Sequence, residues 1–388
     1  MGSDRSGRTS WRSRADGLVI LPAADYASAG RQERSGMGRQ GSRSREQGAT
    51  ADKARVGLRR VAAVAGVSTA TVSRVVNRPE SVSEELRTRV NLVIEQLGWV
   101  PNAAARALSS NRTGAIGAIF PALALGDFAR AIDAMQDALA ARNHLLLLAR
   151  SQYDPDLEFS QARKLVERGV DGLVLVGSTR SAAFESFLSR IEIPYLNSFV
   201  FDAESPVPCV GPDNAVSMSE MVDHLVSLGH RRFGMIAQTT RNNDRAAARR
   251  DGVRNALARV GLAIPPQGLV EGEWDIAEGR KLFRRILDAT PRPTAIICGN
   301  SMLAVGAVLE AAAAGVDVPG EMSIVGYDDI ELMSELPIPI TTVRVASDDV
   351  GRVAADTVLD MIEGRAVGSQ RIRSQIVVRA SSGPVPSD

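Results

Sequence analysis

Within ten residues, 68 to 77, the chain gathers Ser68, Thr69, Thr71, Ser73, Arg74 and Asn77 around the small Ala70. Short hydroxyls and an amide can hydrogen-bond phosphate oxygens, and the fork of a guanidinium meets the paired acceptors of a guanine edge in the major groove of DNA. No acidic residue interrupts the set.

These side chains need a small rigid scaffold, and the flanking sequence supplies one. Leu58, Val61, Ala62 and Ala65 recur at i, i+3, i+4 and i+7, and Val67, Val72, Val75 and Val76 oppose them. Between the two runs Gly66 can turn left-handed, and Ser68 stands where its oxygen can accept from the free N–H groups that open a second helix. The spacing predicts a helix-turn-helix, with Thr69, Ala70, Thr71, Ser73, Arg74 and Asn77 mostly off the packed face. Apolar spacing alone would equally fit a purely structural helical element. A third helix is expected from Ser83 as cap to Leu97, closed by Gly98, with Leu86, Val90, Val93, Ile94 and Leu97 on one face. Trp99, Val100 and Pro101 then break the chain. The run 102–110, NAAARALSS, has helix propensity but is too short to hold a helix alone in water.

From Gly114 the pattern becomes short apolar runs alternating with amphipathic stretches. Residues 115–120, 145–149 and 172–176 read as buried strands, with helices over 128–141 and 159–168. A second series follows, with strands over 233–237, 295–298 and 323–326 and helices over 249–260, 277–289 and 302–314. The fold class expected is an N-terminal all-α headpiece followed by an α/β core of two lobes, each a parallel sheet flanked by helices. Open parallel sheets bind ligands beyond the carboxyl ends of their strands, so two facing lobes should hold a small molecule in their cleft.

Charge divides the same way. The net charge is +1, but residues 1–57 carry 11 Arg/Lys against 6 Asp/Glu, residues 58–112 carry 8 against 4, and the remainder carries 27 against 35. A basic module on an acidic body is the footprint of a nucleic-acid binder. The first 57 residues, dense in Gly, Ser and Arg, read as disordered. They are either a basic tail or upstream sequence, with Met37 a later start, and the second is favoured.

Enzyme chemistry lacks its usual handles. No G-x-G-x-x-G follows the first strand, and neither a G-x-x-x-x-G-K-[ST] nor a G-x-S-x-G occurs. His144, His224 and His230 are scattered and no metal-ligand cluster is evident, so neither catalytic residue, metal nor cofactor is expected. Cys209 and Cys298 make no disulfide framework, which fits a reduced cytoplasmic interior. The apolar stretch 17–24 is too short to span a membrane and is followed by Asp25, so a membrane partner and export are not expected.

VAAVAGVSTATVSRVVN (61–77), WVPNAAARAL (99–108) and NRTGAIGAIFP (111–121) together resemble the headpiece, hinge helix and first core strand of the LacI/GalR family of bacterial transcription regulators. The similarity runs from Leu58 to Ser382 and includes LVERGVDGLVLVGS (165–178), RRDGVRNAL (249–257) and EMSIVGYDDI (321–330). It implies four regions: a basic extension over 1–57, the headpiece over 58–100, a hinge helix over 101–112, and an effector-binding, dimerising core over 113–388. It also implies a homodimeric repressor that binds a palindromic DNA operator. Ser68, Thr69, Ala70, Thr71, Ser73, Arg74 and Asn77 would lie at the major groove, and Asn102, Ala105 and Leu108 of the hinge at the minor groove, with Leu108 as the wedge.

For the cleft the resemblance implies an effector, a sugar or sugar derivative, met by Arg249 of R-x-x-G and Asp328 of GYDD. Trp274 and Phe128 would be aromatic walls and Asn300 a further polar contact. Two departures stand out. Ser301 replaces the Asp that often follows that Asn, and the loop 241–248 contains Arg245, which could meet a carboxylate or phosphate. A solute-binding protein for transport would suit the core alone; the headpiece and the lack of a signal peptide argue against it. The effector, the operator and the sign of the response stay open at this level. No heptad extension follows Ser382, so a dimer is expected rather than a coil-held tetramer.

Overall fold

The computed structural model describes residues 57–100 and 112–385. The expected hinge, with Asn102, Ala105 and Leu108, lies outside the described residues. The headpiece is three helices, α1 (Leu58–Ala65), α2 (Thr69–Asn77) and α3 (Glu84–Leu97). Gly66 ends α1 at φ 68°, and the Ser68 oxygen accepts from the Thr71 N–H at 3.0 Å to cap α2. Ser83 caps α3 and Gly98 ends it in the left-handed region. Val61, Ala62, Ala65, Val72, Val75, Val90 and Val93 form the buried centre, with Leu86, Ile94, Leu97 and Trp99 packed round it. So small a core makes each valine count, at roughly 1.5–3 kcal/mol for full burial.

The first lobe runs β1 (Ala115–Phe120), α4 (Gly126–Ala141), β2 (Leu145–Arg150), α5 (Pro155–Glu167), β3 (Gly172–Val176), α6 (Ala182–Leu188), β4 (Tyr195–Ser198) and β5 (Cys209–Gly211). The second repeats the scheme: α7 (Asn214–Ser227), β6 (Phe233–Gln238), α8 (Asp244–Arg259), β7 (Leu269–Gly272), α9 (Ile276–Leu287), β8 (Ala295–Cys298), α10 (Ser301–Ala313), β9 (Ser323–Asp328), α11 (Leu332–Glu335) and β10 (Thr341–Val345). The chain then returns to the first lobe as α12 (Ser347–Ile362) and β11 (Gln370–Arg371), and crosses back as β12 (Ser374–Val377).

The two six-stranded sheets have orders β11-β5-β4-β3-β1-β2 and β12-β10-β9-β8-β6-β7. Each reverses direction of progression beside its first strand, and the crevice at such a switch point is where open α/β sheets take ligands. One strand departs from the all-parallel expectation: β12 pairs with β10 antiparallel, Thr342 opposite Val377. The reason is topological, since β10 delivers the chain to the first lobe and β12 brings it back through the same crossing. An apolar cluster continues from lobe to lobe beneath the cleft, from Phe120 and Phe199 to Tyr327 and Val345. Among the described residues no helix is long and apolar enough to cross a membrane.

Candidate functional site

On the headpiece, Ser68, Thr69, Ala70, Arg74 and Asn77 are exposed, while Thr71 and Ser73 are half-buried. The Thr71 hydroxyl shares a 2.8 Å hydrogen bond with Ser68, and the Asn77 amide donates to Ser73 at 3.1 Å. Thr69 and Arg74 are therefore the members of this face without an intramolecular hydrogen bond among the described residues. Arg59 and Arg60 on α1 are also exposed. The sequence reading left them aside because they belong to the first helix.

In the core, strand ends from both lobes line a narrow cleft. Phe128, Arg249, Trp274, Asn300 and Asp328, far apart in sequence, all line it. Phe128 sits early in α4, edge-on to Phe199 with ring centroids 4.9 Å apart and to Phe120 at 5.6 Å. Trp274 is half-buried at the chain's exit from β7.

Arg249 is held from two sides. Its Nη1 donates to Asn214 Oδ1 at 2.8 Å, and its guanidinium lies 4.7 Å from the centre of the Tyr327 ring. Asn214 is fixed in turn, its amide donating to Phe199 O at 3.0 Å and its oxygen accepting from the Tyr327 hydroxyl at 3.3 Å. The Nε of Arg249 is buried and finds no hydrogen-bond partner among the described residues. A buried N–H left without an acceptor costs about 1–3 kcal/mol, so this atom favours a ligand oxygen. The glycine of R-x-x-G explains the spacing. A Cβ on Gly252 would lie 2.4 Å from Ala215 O, so only glycine lets α8 approach α7 closely enough for Arg249, one turn earlier, to reach Asn214. Gly252→Ala is expected to destabilise the core by about 1–3 kcal/mol, read from the midpoint of urea unfolding; an unchanged midpoint would show that the two helices separate freely.

The two aspartates of GYDD divide their tasks. Both have left-handed backbone, φ 84° at Asp328 and 57° at Asp329. Asp329 is buried between Arg344 and Arg379, each at 2.6 Å. Asp328 turns to the cavity and accepts from the Ser301 N–H at 3.3 Å and hydroxyl at 3.4 Å. An Asp at 301 would repel this carboxylate, whereas Ser301 supports it. Asn300 caps α10 through its oxygen, 2.8 Å from the Leu303 N–H, which leaves its amide, 3.5 Å from Gln238, as the group on offer.

Sequence reasoning missed Asp127, Tyr153, Gln238 and Asn214, which line the same cavity. Asp127 is buried beside Phe128, and burial, reinforced by the nearby charge of Asp328, raises its pKa from 3.8 to about 7. Burial raises Asp328 too, opposed by Arg249. One of these carboxyls therefore keeps a proton near neutral pH and can donate, while the other accepts. Arg245 also reaches the cavity but is paired with Asp244 at 2.9 Å. Asp244 closes one side of the cleft, taking the Ser178 N–H at 2.5 Å and hydroxyl at 2.8 Å across the lobes.

Nothing here assembles an active centre of the usual kinds. His230 is fully buried, its ring nitrogens 3.0 Å from Thr294 and Ser323 hydroxyls and 3.1 Å from Gly383 O. Cys209 and Cys298 are buried and unpaired, and burial pushes the Cys298 thiol well up. Among the described residues no group of three or more His, Cys, Asp or Glu could hold a metal ion.

Residues 57–102 match the model of bacterial regulatory proteins of the lacI family, and residues 222–382 match a periplasmic binding protein-like domain. The chain is 29% identical over 331 residues to the HTH-type transcriptional repressor CytR of Escherichia coli K12, covering 85% of this chain and 97% of that protein. Among solved structures it is similar to the lac repressor dimer bound to operator and the anti-inducer ONPF, with TM-score 0.76 and 26% identity, covering 84% of this chain and 99% of that one. It is also similar to the transcriptional regulator CelR in complex with cellobiose, with TM-score 0.63 and 26% identity, covering 84% of this chain and 100% of that one. These relatives are regulators and not enzymes. With the helix-turn-helix, the twin α/β lobes and the cleft between them, the chain carries a lacI-family DNA-binding segment on a periplasmic binding protein-like core, the arrangement of the regulators it is similar to.

Proposed function

We propose that the protein represses transcription as a homodimer on a near-palindromic operator, and that a small polyhydroxylated effector, a sugar or sugar derivative, sets its affinity for DNA. In this reading residues 58–100 enter the major groove, residues 101–112 act at the minor groove between half-sites, and residues 113–388 bind effector and dimerise. The observation that carries it is the convergence of Arg249, Asp328, Asn300, Phe128 and Trp274 on one cavity, in a chain whose headpiece leaves Arg74 and Thr69 exposed. A fixed guanidinium, a carboxylate and an amide around aromatic walls match adjacent hydroxyls on an apolar-faced ring. The operator-bound lac repressor and the cellobiose-bound regulator support the same pairing of partners.

Selection of duplexes from a random pool by the purified full chain tests it. Two half-sites about one helical turn apart are expected, and a pool that stays random would overturn the reading. On the selected site Arg74→Ala should cost about 1–3 kcal/mol and relax preference at one base pair per half-site. Uniform weakening on every sequence would make Arg74 a phosphate contact instead.

A further inference from the structure

The cavity that holds Arg249 and Asp328 shares Tyr153, Gln238 and Trp274 as walls with a second, roomier hollow of about 560 Å3. The two chambers differ in charge. The inner one sets the carboxyls of Asp127 and Asp328 against the guanidinium of Arg249, since Arg245 is neutralised by Asp244. The outer one carries Arg150 from the first lobe, Arg241 from the second and a single carboxylate, Glu273. Neither Arg150 nor Arg241 forms an ion pair among the described residues, the Arg150 guanidinium meeting only the neutral amide of Gln152, and Glu271, two residues before Glu273, is already taken by Arg250 at 3.2 Å.

Both arginines stand on braced backbone. Arg150 ends β2 in register with Phe120 of β1, and the next two residues donate to Phe120 O at 2.9 Å and Pro121 O at 3.0 Å. Gln152 and Tyr153 are left-handed at φ 56° and 59°. Arg241 lies two residues after Thr239, whose N–H donates to Gly272 O at 2.8 Å, and precedes Asn242 at φ 58°. Such backbone in non-glycine residues persists only where the surroundings hold it, and it clusters at ligand sites.

We infer that this outer chamber is a second subsite, which takes an anionic substituent, a phosphate or a carboxylate, of an effector whose hydroxylated part fills the inner chamber. The inference rests on reading the inner chamber as the effector site. A guanidinium fork matches either anion in bidentate fashion. Because one arginine comes from each lobe, an anion between them ties the lobes together, a differential interaction with the closed form that a neutral ligand lacks.

Calorimetry on the full chain with matched compounds tests it: ribose and ribose 5-phosphate, glucose with glucose 6-phosphate and glucuronate, and cytidine with its 5′-monophosphate. Where a set binds, an anionic member should bind at least tenfold more tightly than its neutral partner. In the double variant Arg150→Gln, Arg241→Gln that ratio should fall to about one. A gain confined to the phosphates, or to glucuronate, identifies the anion. A neutral partner bound as tightly in the wild type, or an advantage that survives in the double variant, would overturn the subsite. No binding by any compound, neutral or anionic, would remove the inner-chamber reading and the subsite with it.

Discussion

Arg249→Ala is expected to leave operator affinity within about twofold of wild type while weakening the effector by about 2 kcal/mol or more, close to thirtyfold in Kd. The size follows from the surroundings. Arg249 is 7% exposed, and Asn214 and Tyr327 hold it on one edge while its Nε waits for an acceptor. Alanine removes the donor from the ligand and leaves Asn214 Oδ1 with the Tyr327 hydroxyl alone. Arg249→Lys should recover little, because an ammonium cannot span Asn214 and a ligand oxygen as a planar fork does. Parallel titrations of DNA and effector check the claim. Wild-type effector affinity in the alanine variant would place the binding site elsewhere.

The other large effect is on pH dependence. With a folded pKa of about 7 against an ordinary 3.8, Asp127 keeps its proton in the folded state where the unfolded chain has released it. Between about pH 4 and pH 7 the folded protein therefore binds more protons, so stability falls as pH rises through that window and levels off above it. The difference between the two pKa values corresponds to about 4 kcal/mol. Asp328 opposes ionisation from β9, and Arg249 on α8 favours it. Arg130 acts on Asp328, donating to its backbone oxygen at 3.5 Å. Asp127→Asn cannot titrate. Near pH 8 it should be more stable than wild type by a few kcal/mol, and near pH 4.5 by much less. Urea unfolding at the two pH values decides it, and an equal difference at both would show that Asp127 ionises freely in the folded protein.

What the sequence disclosed, and what it hid, follows from how local each signal is. The headpiece was legible because Gly66, Ser68, Ser83 and Gly98 are helix punctuation read within four residues. β3 and β8 were legible as unbroken apolar runs, buried at every position. β5 and β11, of three and two residues, have no pattern of their own and exist through pairing. α12 does show apolar residues at helical spacing, Val350, Ala354, Val358 and Leu359, but its place in the first lobe, after the second has been built, is a matter of topology that no local spacing carries. In the cleft, Arg249 and Asp328 were readable from short motifs. Asp127 was not, since its burial beside Asp328 depends on a residue two hundred positions away. Arg245, which from sequence could meet a carboxylate or phosphate, lines the cavity and pairs with its neighbour Asp244, a contact that no motif announces.

The central claim is that the cleft and the DNA face are linked, and linkage is reciprocal. The measurement is the Kd of the selected operator duplex with and without the compound that most raises Tm in a screen of sugars, sugar phosphates and nucleosides, paired with the Kd of that compound with and without the duplex. The account predicts that each partner changes the other's affinity by one common factor, of about 5 to 150. Operator affinity that stays the same when the compound saturates the cleft would contradict it.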